Sequence, residues 1–151
     1  KPASATLGFT NVSFVAQTVD WNPLHLYNTL YAAYKHRGFS FVRILQRCPT
    51  YTSGVFDEYQ RDPSRIVVME HEKGIPVDAS LDRVFKNRIT HDPLDMGEAR
   101  RLAEETNPLP IGLLFQDESR PIYDKSTNWG LDMSREQRVD ALNQELDRFL
   151  V

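Results

Sequence analysis

TVDWNPLHLYNTLYAAYKHRGFSFVRILQRCPTY, residues 18–51, is the stretch that decides the fold. Asn22 is a good N-cap, because its side chain can accept from the unpaired backbone N–H groups of a first helical turn. Pro23 follows at the first helical position, where a missing N–H costs nothing. Leu26, Leu30, Ala33 and Tyr34 recur at helical spacing, and Gly38 stands where a left-handed residue after the helix is wanted. Residues 39–46 are too few, and too rich in Phe, Val and Ile, for a second helix, so they read as a strand. Residues 12–19, VSFVAQTV, are a similar run ahead of the helix. The unit is therefore strand–helix–strand, a crossover that gives two parallel strands in one sheet. Cys48 then falls just past the C-terminal end of the second strand, where open α/β sheets keep their ligands. Tyr27, Tyr31 and Tyr34 read as packing of the crossover helix onto that sheet.

The rest of the chain agrees with an α/β domain. The 151 residues are enough to bury a core, and 40% hydrophobic with 26% charged content is ordinary for a globular protein. Eighteen basic against 21 acidic residues leave a formal net charge of −3, so charge provides no reason to expect nucleic acid or an anionic membrane. No apolar run approaches the ~20 residues that span a bilayer. One cysteine cannot form an internal disulfide, which is compatible with a reducing, cytoplasmic setting. The chain opens at Lys1 rather than at Met; a processed, trimmed or excised piece is expected, and a removed tag would leave the same trace.

Residues 1–10 read as a lead-in to the first strand. Residues 49–64, with Pro49, Gly54 and Pro63, read as a long loop holding one helical turn. Residues 65–69, RIVVM, make a third strand, and Leu81, Val84 and Phe85 mark a short helix. His91-Asp92-Pro93 is a break, since the residue before proline is pushed from helical angles. Asp95 and Glu98 have capping-box spacing ahead of a run of helix formers. Residues 109–115, LPIGLLF, read as a fourth strand. Residues 117–130 are polar and irregular, with Tyr123 and Trp129 as anchors. Ser134 and Gln137 form a second capping box, and Val139, Leu142, Leu146, Phe149 and Leu150 share one face of a closing helix.

Chemical motifs are sparse. The phosphate-binding patterns G-x-x-x-x-G-K and G-x-G-x-x-G and the nucleophile pattern G-x-S-x-G do not occur. His71-Glu72 starts like H-E-x-x-H, but Ile75 stands at the second histidine position. His25 and His36 would lie ~16 Å apart along one helix, too far to share an ion. All four histidines therefore read as surface or locally hydrogen-bonded groups. Paired acids at Asp57-Glu58, Glu104-Glu105 and Asp117-Glu118 read as solvated faces. Cys48 stands apart. A lone cysteine is most often a small buried hydrophobe, yet its place after a strand and its neighbour Arg47, which favours thiolate, leave a reactive or metal-binding role open.

The segments GFSFVRILQRCPTY and FVAQTVDWNPLHLYNTLYAAYKHRG resemble the close of the thiamine-diphosphate domain in the β subunit of 2-oxoacid:ferredoxin (acceptor) oxidoreductases. HDPLDMGEARRLAEE followed by LPIGLLFQDESRPIYD resembles the same family's C-terminal extension. The resemblance runs with gaps from Thr10 to Tyr123 and leaves the final helix unplaced. It implies that residues 1–50 end a thiamine-diphosphate-type α/β domain and that residues 51–151 form a mixed α/β extension. The parent enzyme would oxidatively decarboxylate a 2-oxoacid to an acyl-CoA with thiamine diphosphate, Mg²⁺, a [4Fe-4S] cluster and CoA. An α subunit and ferredoxin or a similar acceptor would be its partners. The family's diphosphate site uses a Gly-Asp-Gly…Asn signature, and no Gly-Asp pair occurs here. Cys48 matches the cysteine that serves as fourth cluster ligand in members carrying that centre, while the other three cysteines are not in this chain. Arg47 replaces the family's usual proline, and Tyr51 its usual Asn or Gly. The resemblance thus implies one metal ligand, Cys48, no catalytic residue and no complete cofactor site, so this chain alone is expected to be inactive. A stand-alone interaction module or accessory subunit that kept the fold and lost the chemistry, and a small thiol enzyme using Cys48, are the other readings.

Overall fold

A computed structural model describes residues 1–51, 53–123 and 133–149. In chain order the elements are α1 (Pro2–Thr6), β1 (Phe14–Val19), α2 (Pro23–Lys35), β2 (Ser40–Leu45), α3 (Asp57–Arg61), β3 (Ile66–Glu70), α4 (Ala79–Val84), β4 (Asn87–Thr90), α5 (Met96–Glu104), β5 (Leu109–Gln116) and α6 (Arg135–Asp147). A 3₁₀ turn at Pro63–Arg65 precedes β3. The chain divides into two compact units, Lys1–Arg120 and Pro121–Val151.

In the first unit one five-stranded mixed sheet runs in the order β2-β1-β5-β3-β4. β1 and β2 are parallel, as the crossover requires, with Phe14 opposite Ser40 and Val19 opposite Leu45. β5 lies antiparallel to β1 and parallel to β3, and β4 is parallel to β3. Every residue of β1 is buried, the continuous pattern of a strand covered on both faces. On one face α1 and α5 pack through Ala3, Leu7, Ala99, Leu102 and Ala103 against Val15, Met69, Leu114 and Phe115. α2 covers Phe14, Ala16 and Leu113 with Ala32 and Ala33, while α3 and α4 supply Tyr59 and Leu81 to a core with Ile66, Val68 and Ile111.

The caps read from the sequence are present. Asn22 Oδ1 accepts from His25 N at 3.0 Å, with Pro23 opening α2. Asp95 Oδ1 accepts from Glu98 N at 3.0 Å. In the second unit Ser134 and Gln137 form the reciprocal capping box of α6, 2.8 Å and 3.2 Å long. No residue of α6 is buried, including Val139, Leu142 and Leu146; Trp129 and Leu150 lie outside the described residues.

Four expectations change. Residues 1–10 are not a plain lead-in: Pro2 opens a short helix that buries Ala3 and, just after it, Leu7. The edge strand β4 was not expected, because Asn-Arg-Ile-Thr is short and half exposed. The helix α2 ends at Lys35 with His36 already extended, and Gly38 is needed further on, at φ +144°, where a Cβ would come within 2.6 Å of Ser13 Oγ. Most consequentially, α2 does not face the sheet with Leu30 and the tyrosines. Leu30 is 44% and Tyr34 82% exposed, whereas His25 and Thr29 are fully buried. Spacing of 25, 29, 32 and 33 presents a slim, partly polar face to β1 and β2, and Tyr27 stacks on Tyr31 on the far side, 6.0 Å between centroids.

Candidate functional site

The parallel pair β1–β2 ends at Val19 and Leu45, and Cys48 stands three residues beyond the second strand, as its spacing implied. Asp20 N donates to Leu45 O at 3.1 Å, carrying the pairing one step past the strands and bringing the two following turns together. Asp20 then grips Arg47 twice: Oδ2 accepts from its backbone N at 3.1 Å and Oδ1 from its Nε at 3.3 Å. The Arg47 guanidinium also lies over the Trp21 ring, 5.6 Å from its centroid. The arginine expected to favour a Cys48 thiolate is thus engaged by a carboxylate and an indole. Cys48 itself is half-buried, and its Sγ accepts from Tyr51 N at 3.5 Å. Trp21, Phe56 and Tyr59 form a chain of tilted aromatic contacts, 6.4 Å apart at each step.

Among the described residues no group of three or more His, Cys, Asp or Glu could hold a metal ion. A four-iron cluster takes four ligands, and this chain has one cysteine. The residues present therefore do not make a cluster site by themselves, whatever Cys48 contributes to one shared with other cysteines.

At the opposite end of the sheet, β3, β4 and β5 point their C-terminal ends the other way. Two adjoining clefts of about 490 Å³ each lie there, both lined by His71 and Glu72, one with Thr90 and the other with Asp92 and Gln116. Beside them His91 is buried, and its Nε2 lies 2.6 Å from Leu114 O. A carbonyl only accepts, so the ring proton sits on Nε2. Leu114 is the residue skipped where the β1–β5 register shifts between Val15 and Ala16, so His91 satisfies the carbonyl of a β-bulge.

Buried polar groups lie on both faces of β1, Thr18 towards α2 and Gln17 on the opposite face. Gln17 Nε2 donates to Pro110 O at 2.7 Å and its Oε1 accepts from Arg43 at 3.0 Å, tying β2, β1 and β5. His25 Nδ1 lies 2.7 Å from Thr18 Oγ1, and Thr29 Oγ1 donates to His25 O at 2.7 Å. Burial lowers the His25 pKa to about 4, against the opposing pull of the nearby Asp78 carboxylate. The sequence reading placed His25 among surface or locally bonded histidines and did not single out Asp78; the helix register that puts 25 and 29 on the buried face was the available signal.

Comparison with known proteins sets these observations in a class. Residues 81–129 match the family model for the C-terminal region of the pyruvate ferredoxin oxidoreductase beta subunit. The chain is thus similar to the β subunits of 2-oxoacid:ferredoxin oxidoreductases. It is 28% identical to the 2-oxoglutarate oxidoreductase subunit KorB of Mycobacterium tuberculosis, over 94% of this chain and 42% of the relative's length. The 2-oxoacid:ferredoxin oxidoreductase 2 subunit beta of Aeropyrum pernix is 24% identical over 75% of this chain and 34% of its own length. A solved 2-oxoglutarate:ferredoxin oxidoreductase from Magnetococcus marinus, with 2-oxoglutarate, coenzyme A and succinyl-CoA bound, shares the fold at a TM-score of 0.63 and 24% identity, over 93% of this chain and 43% of that one. The chain therefore spans less than half the length of the relatives it matches. No helix among the described residues is long and apolar enough to cross a membrane.

Proposed function

We propose that this chain is the C-terminal part of the β subunit of a cytoplasmic 2-oxoacid:ferredoxin oxidoreductase, an enzyme that oxidatively decarboxylates a 2-oxoacid to an acyl-CoA. The observation that carries this reading is the similarity extending along 94% of the chain to a β subunit more than twice as long. The fold supports it: β2 is an open sheet edge, and Phe39, Ile44, Tyr27, Tyr31 and Tyr34 beside it are all more than 40% exposed. Such an apolar edge is what remains when further layers of an α/β domain are to be added. On this reading residues 1–50 close a thiamine-diphosphate-type domain and residues 51–151 are the subunit's extension. Thiamine diphosphate, Mg²⁺ and CoA are bound by the whole assembly with an α subunit, and ferredoxin or a similar acceptor takes the electrons. Cys48 is one thiolate of a [4Fe-4S] cluster completed by cysteines outside this chain.

The test is direct. The isolated chain, given thiamine diphosphate, Mg²⁺, a 2-oxoacid, CoA and a redox dye, is expected to reduce no dye above the blank, because no Gly-Asp pair is present to begin the diphosphate site. Dye reduction that depends on the 2-oxoacid would overturn the reading. The exposed aromatic face of α2 also favours a second reading, an interaction module that docks on a larger assembly without chemistry; it shares the expected inactivity and differs in the size of the native polypeptide.

A further inference from the structure

Two buried polar atoms on facing elements have no hydrogen-bond partner among the described residues: Nε2 of His25 on α2 and Oδ2 of Asp78 at the start of α4. The helices pack on each other, and the field of Asp78 reaches the His25 ring. Each orphan is what the other needs. The His25 ring is fully buried, and its Nδ1 is already taken by Thr18 Oγ1 at 2.7 Å. If Thr18 donates to Nδ1, the neutral ring carries its proton on Nε2, a donor without an acceptor. Asp78 uses Oδ1 to cap α4, accepting from Ser80 N at 2.7 Å and Leu81 N at 3.2 Å, which leaves Oδ2 as an acceptor without a donor. A carboxylate beside the ring favours the proton on the nearer nitrogen, and a buried donor or acceptor left unmade is costly.

We propose that Thr18, His25 and Asp78 form a hydrogen-bonded latch, with Thr18 Oγ–H donating to Nδ1 and Nε2–H reaching Asp78 Oδ2 through one water. The latch joins the crossover helix of the β1–β2 pair to the first turn of α4, the helix that follows β3, and so ties the two oppositely running halves of the sheet through their covering layer. Three other charged groups on the surrounding elements are engaged elsewhere. Arg43 on β2 is bound to Gln17, Asp20 after β1 to Arg47, and Asp82 on α4 to Arg88. Of the charged groups on these elements, including Arg83 on α4, Asp78 is the one whose field acts on the ring.

Long-range ¹H–¹⁵N correlation spectra of the ¹⁵N-histidine-labelled chain test the latch without any substitution. The His25 ring is expected as the Nε2–H tautomer, and an Nδ1–H tautomer in the native chain would overturn the proposal. Asp78→Asn keeps an oxygen for the α4 cap and turns the second oxygen into a donor. It is expected to move the His25 Nε2 resonance and to lower amide-exchange protection in α4 by roughly tenfold, the scale of one hydrogen bond to a charged group. His25→Asn should lower the same protection, and the double variant should lose no more than either single one. An unmoved Nε2 resonance in Asp78→Asn, or fully additive losses, would mean that the two side chains are not partners.

Discussion

Between pH 6.5 and pH 4 the chain is expected to lose up to about 3 kcal/mol of stability through His25 alone. The folded state holds this ring's pKa down at about 4, against an ordinary value of 6.5, mainly because burial disfavours the charged form. In the unfolded chain the ring takes up a proton near its ordinary pKa, so acid favours unfolding. The contribution is therefore fully present above pH 6.5 and is lost as the pH falls toward 4. Against a total of about 5–15 kcal/mol for a typical domain this is a large share. Urea titrations at pH 7 and pH 4.5 on the native chain and on His25→Asn, which cannot titrate, isolate the effect. The native chain should show the steeper fall in midpoint. Equal slopes in the two proteins would mean that His25 is not held neutral by burial.

The second large effect separates two accounts of how the sheet is covered. Phe115 on β5 is buried at 2% exposure, in the core shared with Leu7, Val15 and Leu102. Replacing it by alanine removes a ring from a filled space and is expected to cost about 3–5 kcal/mol. Tyr34→Ala should change stability by less than about 0.5 kcal/mol, as for surface substitutions remote from the core. A periodicity reading of α2 predicts otherwise, since it places Tyr34 with Leu30 against the sheet. Denaturant midpoints for the two variants decide the matter, and a comparable loss in Tyr34→Ala would restore that arrangement.

Local signals in the sequence carried well. Asn22 with Pro23, Asp95 with Glu98 and Ser134 with Gln137 act within one turn, so their caps could be read without knowing the tertiary structure. The strand–helix–strand order likewise made β1 and β2 a parallel pair, because a helical crossover returns the chain to the end of the sheet where it started. The insertion of β5 between β1 and β3 depends on contacts nearly a hundred residues apart, of which Gln17 with Pro110 is one, and nothing local announces it. The face of α2 was misread for a different reason. Periodicity weighs apolar residues, but here the buried positions are His25 and Thr29, made tolerable by bonds to Thr18 and to the helix's own backbone. Cys48 was correctly placed past β2, whereas the engagement of Arg47 by Asp20 and Trp21 required the fold. The family signal in residues 91–123 was legible because a break, a capped helix and a Gly-containing strand occur there in a specific order. Gly112 in that strand adopts φ +123° where its backbone passes close to Met69, which explains why a residue without a side chain stands there.

The intact mass of the native polypeptide in the cells that make it tests the central claim most directly. A chain that is one part of a β subunit should appear as a polypeptide clearly heavier than the 17.4 kDa of these residues, with a Gly-Asp-Gly signature and further cysteines in the additional sequence. A native polypeptide of 17.4 kDa would contradict that account and favour the interaction module.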